Sequence, residues 1–351
     1  MSKGSTVSLT DSILAALEPN KKFNYHQEAS ITSLDFDDSG QYLISSGIDK
    51  SIQLYDVHKG IHHKSIQSQK YGAHAAKFTH KDLNCLYAST PTEQADIDNA
   101  IRYLSLVNNQ YIRYFKGHKA QVMSIEVNPC EDVFLSSSLD GTVKLWDLQS
   151  PTPVGNLDIG LPSLVAFDPQ GVVFAVGNKY ADAIELYDIK TFDKEPFLTI
   201  NPPKIADQIW TKIEFSNNGK LLLVVTNSYE HYIFDSFLSQ LLTTLKTECR
   251  ANGGWLHTKY PTTGSGTFSP CGKFVIIGCP DSSLQLFDLR SVKTTDGNKH
   301  ILHSDDNPKS IRPYKVLKNS PNLPRMVTFD PKLLVLATAD NTVALWKPPL
   351  D

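Results

Sequence analysis

The 351-residue sequence is poor in the residues that most often announce a compartment or a chemistry, with five cysteines, three methionines and four tryptophans. Cys85, Cys130, Cys249, Cys271 and Cys279 are odd in number and scattered, which argues for free thiols in a reducing compartment and against a disulfide framework. Charge of one sign is not in excess either. The 34 Lys and Arg against 37 Asp and Glu leave a formal net charge of −3, which removes the global electrostatic reason to expect direct DNA binding or a membrane surface. Continuous apolar runs such as 221–225 and 333–337 are strand-sized, far short of the ~20 residues of a membrane helix. Residues 1–10 lack the apolar stretch of a secretory signal. The expectation is a soluble protein that is not exported. Only 19 Gly and 20 Pro exclude collagen-like or linker character, and 40% hydrophobic residues exclude disorder. A chain of this size has ample surface to bury.

What the sequence does contain is a repeat. Seven times a β-type segment ends on an apolar anchor, runs into a turn, and leads to two further strands. The anchors are Phe36, Phe78, Val127, Phe167, Phe215, Phe268 and Phe329. The turns after them include Asp37-Asp38-Ser39-Gly40, Asp168-Pro169-Gln170-Gly171 and Ser216-Asn217-Asn218-Gly219, residues that bend backbone cheaply. The third segments end on Tyr55, Leu104, Trp146, Tyr187, Phe234, Phe287 and Trp346. Anchor-to-end steps are 19, 26, 19, 20, 19, 19 and 17, whereas the steps to the next anchor drift through 23, 23, 21, 28, 34 and 42. A nearly fixed inner spacing with a variable outer one describes rigid units joined by tolerant connections.

The third copy reads Gly117-His118, then Ser136, Asp140 and Trp146-Asp147, with steps of 18, 4 and 6. This pattern resembles the WD-repeat family, whose blades are four-stranded antiparallel sheets set radially around a channel. The resemblance implies an all-β, seven-bladed propeller in one domain, 1–351, with blades from about residue 31 to 350. It also implies that His118, Ser136, Asp140 and Trp146 form a hydrogen-bonded chain inside blade three, satisfying polar groups that would otherwise destabilise a sheet interior. Asp49 with Tyr55, Asp281 with Phe287 and Asp340 with Trp346 keep the step of six but are expected to lack the histidine. Closure of the ring is expected from the N-terminal segment, residues 9–17, as outer strand of the last blade. Two long connections, 247–266 and 291–324, are expected to be loops.

No motif of a catalytic site has the required spacing. Gly264-Ser265-Gly266 does not fit a nucleophile elbow, because Thr263 and Thr267 occupy the glycine positions around Ser265. Gly219-Lys220 and Gly272-Lys273 lack the upstream glycine of a phosphate loop. Cys271 and Cys279 are too far apart for a metal knuckle, and His62-His63 diverge on a strand. His118, Ser136 and Asp140 have the composition of a hydrolase triad, but repeat positions imply burial. No catalytic residue, metal or cofactor is expected. Arg102, Arg113, Lys116 and Lys119 interleave with Tyr103, Tyr111, Tyr114 and Phe115, a pattern able to stack bases or clamp a phosphopeptide. The competing reading is ordinary strand aromatics with solvated cations.

Beyond the repeat, Lys70-Tyr71-Gly72, Ile101-Arg102-Tyr103-Leu104-Ser105-Leu106, Gln110-Tyr111-Ile112-Arg113-Tyr114-Phe115 and Phe215-Ser216-Asn217-Asn218-Gly219-Lys220 are similar to the Swd-type WD-repeat subunits of COMPASS, the complex that methylates a lysine of histone H3. That resemblance spans nearly the whole chain and implies a nuclear, noncatalytic scaffold. The implied partners are the N-terminal region of the SET-domain methyltransferase, other COMPASS subunits, and the phosphatase module of the cleavage and polyadenylation factor, with the phosphorylated tail of RNA polymerase II a further expectation. Trp255 and Tyr260, in the first long connection, are candidate partner anchors because aromatics dominate binding hot spots.

Overall fold

The computed structural model describes residues 8–81, 83–90, 98–178, 182–249, 262–294, 307–318 and 320–349. Each repeat folds as an antiparallel sheet, and the seven sheets form a propeller. The innermost strands are Ile31–Phe36, His74–Phe78, Val122–Val127, Leu164–Phe167, Trp210–Phe215, Gly266–Phe268 and Met326–Phe329, so every one ends on the anchor read from the sequence. The turns work as their composition demands. In the first, Asp37 Oδ1 accepts the Tyr42 amide at 2.6 Å and Gly40 N donates to Asp37 O at 2.9 Å. Gly40 sits at φ +72°, where a Cβ would also lie 2.1 Å from Asp330 Oδ1 of blade seven.

Apolar side chains on the faces of each sheet meet those of the next, giving seven buried clusters, one for each junction in a closed ring of seven. Between blades three and four, for example, Leu135, Val143 and Leu145 pack on Val165, Phe174 and Tyr187. Blade seven packs on blade one through Met326, Ala337 and Leu345 against Leu34, Leu43 and Tyr55, with Phe23 among them.

Closure comes from the N-terminal segment, but not from residues 9–17. Glu18–Phe23 pairs antiparallel with Val343–Lys347, from Glu18 opposite Lys347 to Phe23 opposite Val343. The earlier stretch is a one-turn helix, Asp11–Ala15, whose N-cap Thr10 accepts the Ile13 amide. Leu14 and Leu17 lie three apart, so a helical turn puts both into the cluster between blades six and seven. Glu18–Phe23 gave no apolar signal because all but Phe23 are solvent-exposed on this outer edge.

The connection 291–324 is also more than a loop. It supplies Lys315–Leu317, the outermost strand of blade six, and Ser310–Ile311, which pairs in parallel with the outer strand of blade five, Leu241–Lys246. Among the described residues no helix is long and apolar enough to cross a membrane.

Phe23→Ala removes the one buried side chain of the closing strand and is expected to cost about 3 kcal/mol in urea unfolding. A loss below about 1 kcal/mol, a small change for a buried aromatic, would mean that this strand does not hold the ring shut.

Candidate interaction surfaces

The segment leaving blade two carries His118 into the top of blade three, where the structure brings all four expected residues together. Trp146 Nε1 donates to Ser136 Oγ at 2.8 Å, Ser136 donates to His118 Nε2 at 2.7 Å, and His118 Nδ1 donates to Asp140 at 3.0 Å. Each proton points the same way along the chain, which fixes the neutral imidazole tautomer. Burial pushes His118 below its ordinary value despite Asp140. Burial works to raise Asp140, but Thr142, the Lys119 amide and His118 outweigh it and hold the carboxyl well below the usual range. Ser136 has no exposed surface and the His118 side chain almost none, so the would-be nucleophile and base face no solvent from which a substrate could come; Asp140 is only partly buried.

Blade one holds a second such chain, which corrects the expectation that Asp49 lacks a histidine. His26 Nδ1 bonds Asp49 at 3.0 Å, His26 Nε2 bonds Ser45 Oγ at 2.7 Å, and Tyr55 takes the tryptophan's place with its hydroxyl 3.3 Å from Ser45. The sequence signal was present. From His26 the steps to Ser45, Asp49 and Tyr55 are 19, 4 and 6, one residue longer than in blade three, and tyrosine rather than glycine precedes the histidine. In blade seven Asn322 substitutes. Trp346 Nε1 donates to Thr338 Oγ1 at 3.0 Å, and Thr338 donates to Asn322 Oδ1 at 3.1 Å.

Charged residues near the ends of the innermost strands, Lys77, Glu126, Lys212 and Glu214, line the channel. Lys77 bridges Asp35 at 3.4 Å and Glu126 at 3.2 Å, and Lys212 pairs with Glu214 at 2.8 Å. Burial raises Asp35 to about 6 against the attraction of Lys77. Asp35 also accepts the Phe78 amide and Glu214 the Phe268 amide, so these carboxylates tie neighbouring innermost strands together. One mouth of the channel is a cavity of about 330 Å³ walled by Pro129, Pro169, Pro270 and Pro331. Among the described residues no group of three or more His, Cys, Asp or Glu is placed to hold a metal.

The expected basic patch is not a set of four outward cations. Arg102 is fully buried: its guanidinium lies 3.9 Å from the centre of the Tyr71 ring, pairs with Asp98 at 3.1 Å and donates to Ser89 and to the Ala100 carbonyl. The third strand of blade two turns this position inward, where the tyrosines desolvate it. Arg113 is half-buried and donates to the Gln149 carbonyl of blade three. Lys116 and Lys119 are exposed. Trp255 and Tyr260 lie outside the described residues.

Seven radial sheets with histidine-centred chains inside two of them define a WD-repeat propeller. The model for the WD domain, G-beta repeat, matches residues 17–56 and 109–147, the two repeats in which the histidine chain is complete. End to end, the sequence is 37% identical to the Set1 complex component swd2 of Schizosaccharomyces pombe, over 97% of this chain and 99% of that one. It is 36% identical to the COMPASS component SWD2 of Saccharomyces cerevisiae, over 96% and 97%, and 35% identical to the WD repeat-containing protein 82 of Drosophila melanogaster, over 97% and 98%. The chain belongs to this Swd2 family of WD-repeat proteins.

Asp140→Ala leaves His118 buried without its partner and is expected to cost roughly 1–3 kcal/mol at neutral pH. A carboxylate depressed on folding adds stability above its unfolded value, about pH 4, and loses it as pH falls through the folded value. His118, neutral when folded, favours unfolding in the same direction. Asp140→Asn should therefore flatten the acid-side fall of the melting temperature below about pH 4, and an unchanged acid slope would remove Asp140 from the account.

Proposed function

We propose that this chain is a noncatalytic scaffold subunit of a COMPASS-type histone H3 lysine methyltransferase complex, working in the nucleus. The observation that carries this reading is the end-to-end similarity to two relatives named as components of the Set1 complex and of COMPASS. The buried state of the serine-histidine-aspartate chain and the mutual pairing of the channel charges support it, since neither presents a free reacting group. A rigid ring with many rim strands is suited to holding several proteins at once. Its partners in this reading are the N-terminal region of the SET-domain methyltransferase and other subunits of that complex. Membership of the cleavage and polyadenylation factor, through its phosphatase module, and contact with the phosphorylated tail of RNA polymerase II extend the same reading to mRNA 3′-end formation and transcription termination. Direct capture of RNA or phosphopeptide by Arg113, Lys116 and Lys119 is the weaker alternative, because Arg102 is internal.

Affinity purification of the intact chain from nuclear extract is expected to recover the SET-domain methyltransferase, and separately 3′-end-processing subunits. Recovery of neither set would refute the scaffold assignment. Charge reversal at Lys116 and Lys119 is expected to leave retention on RNA or phosphopeptide resin unchanged; a marked loss would favour the alternative.

A further inference from the structure

We propose that the outer edge of blade two, strand Gln110–Phe115, is a strand-addition site for an extended acidic segment of a partner protein. The inference rests on the scaffold reading and says where and how one partner docks.

An outermost strand has nothing beyond it to accept its outward N–H and C=O groups, and proteins usually blunt such edges with charge, proline, shortness or a cover. This ring blunts the others visibly. Glu18–Phe23 carries Pro19, Lys21 and Lys22, and Pro153–Asp158 opens on a proline. Leu198–Ile200 and Lys315–Leu317 are three residues each. Leu241–Lys246 is covered by Ser310–Ile311, and Ile61–Gln67 carries His62, His63 and Lys64. Gln110–Phe115 has the least of these devices: its six residues include two tyrosines, an isoleucine and a phenylalanine, a single charge in half-buried Arg113, and no proline. Among the described residues nothing pairs with it on the outside.

Its surface is apolar and pre-organised. Ile112 is 45% exposed, Tyr111 43% and Tyr114 39%, with Val107 at 66% in the hairpin below. A bulge puts the extra residue at Ile112, but blades one, three and five have the equivalent bulge, so it belongs to the fold rather than guarding this edge. The Tyr111 and Tyr114 rings lie 5.1 Å apart, and the Tyr111 hydroxyl is 3.0 Å from that of Tyr87. Rings already held in place lose little freedom when a partner covers them.

Charge selects the partner. From residue 99 to 125 the sequence has no Asp or Glu but has Arg102, Arg113, Lys116 and Lys119. Arg102 is spent on Asp98, which leaves Arg113 on one flank and exposed Lys116 at the end of the strand. Lys70 adds a third cation near the same end, 4.9 Å from the Tyr71 ring centre. Backbone pairing supplies affinity in strand addition and alternate side chains supply specificity; here those side chains ask for carboxylates beside apolar residues. Nucleic acid is disfavoured because Tyr111 and Tyr114 pack on each other and few cations are free.

The test is hydrogen–deuterium exchange on the full chain, alone and within the assembly purified through a tag on the methyltransferase. Amides of residues 110–116 should exchange more slowly in the assembly, with Ile61–Gln67 unchanged, and the protection should survive nuclease. Lys116→Glu should keep the melting temperature of the free chain while weakening assembly roughly two- to fivefold at low salt; Tyr114→Asp should weaken it further. An assembly that forms with no slowing at 110–116 overturns the inference and leaves the scaffold reading standing, and protection erased by nuclease overturns it in favour of nucleic acid. Absence of any assembly overturns both.

Discussion

The constraint on which everything else depends is angular. A single small sheet cannot bury both faces, so each blade is stable only between two neighbours, and a row of blades is complete only when the last meets the first. Seven interblade clusters meet that requirement, and the junction between blade seven and blade one is made from the same kinds of residue as the other six. The closing strand Glu18–Phe23 fastens this junction by hydrogen-bonding the sequence's two distant ends into one sheet. Polar contacts between neighbouring innermost strands, such as Asp35 with the Phe78 amide, add direction to packing that is otherwise non-directional.

Within that ring the histidine-centred chains settle a local problem. Hydroxyl, imidazole and indole groups buried in a sheet are costly unless bonded, and a one-way run of protons, ending on a carboxylate in blades one and three and on an amide oxygen in blade seven, gives each of these donors an acceptor. Blades one, three and seven use three versions, with Tyr55, Trp146 and Trp346 at the donor end and His26, His118 and Asn322 in the middle. What looks like hydrolase chemistry in composition is thus internal bracing, and in the scaffold reading proposed above partners are held at the rim, where blades differ in length, charge and cover.

The blade count was legible because the turn chemistry and the large apolar anchors are local properties, and all seven anchors terminate the strands assigned to them. The blade-three chain was legible because its spacing is undisturbed. Three features were not. His26 is hidden by one extra residue before Ser45 and by Tyr25 in the position that glycine holds before His118. Glu18–Phe23 was hidden because an edge strand with one buried residue has no period-two pattern, while the apolar residues just before it belong to a helical turn. Arg102 reads as a surface cation by composition, and only the meeting of Tyr71, Ser89 and Asp98 around it explains its burial. In each case the deciding contact joins residues whose pairing no local window reveals.

The most direct measurement is a titration of the purified chain into a methyltransferase complex assembled without it, following histone H3 methylation. A scaffold acts by occupancy, so the account predicts that activity changes in proportion to added chain and saturates at one chain per methyltransferase. A full effect from a small fraction of that amount would mean turnover by the chain itself, and would contradict the account.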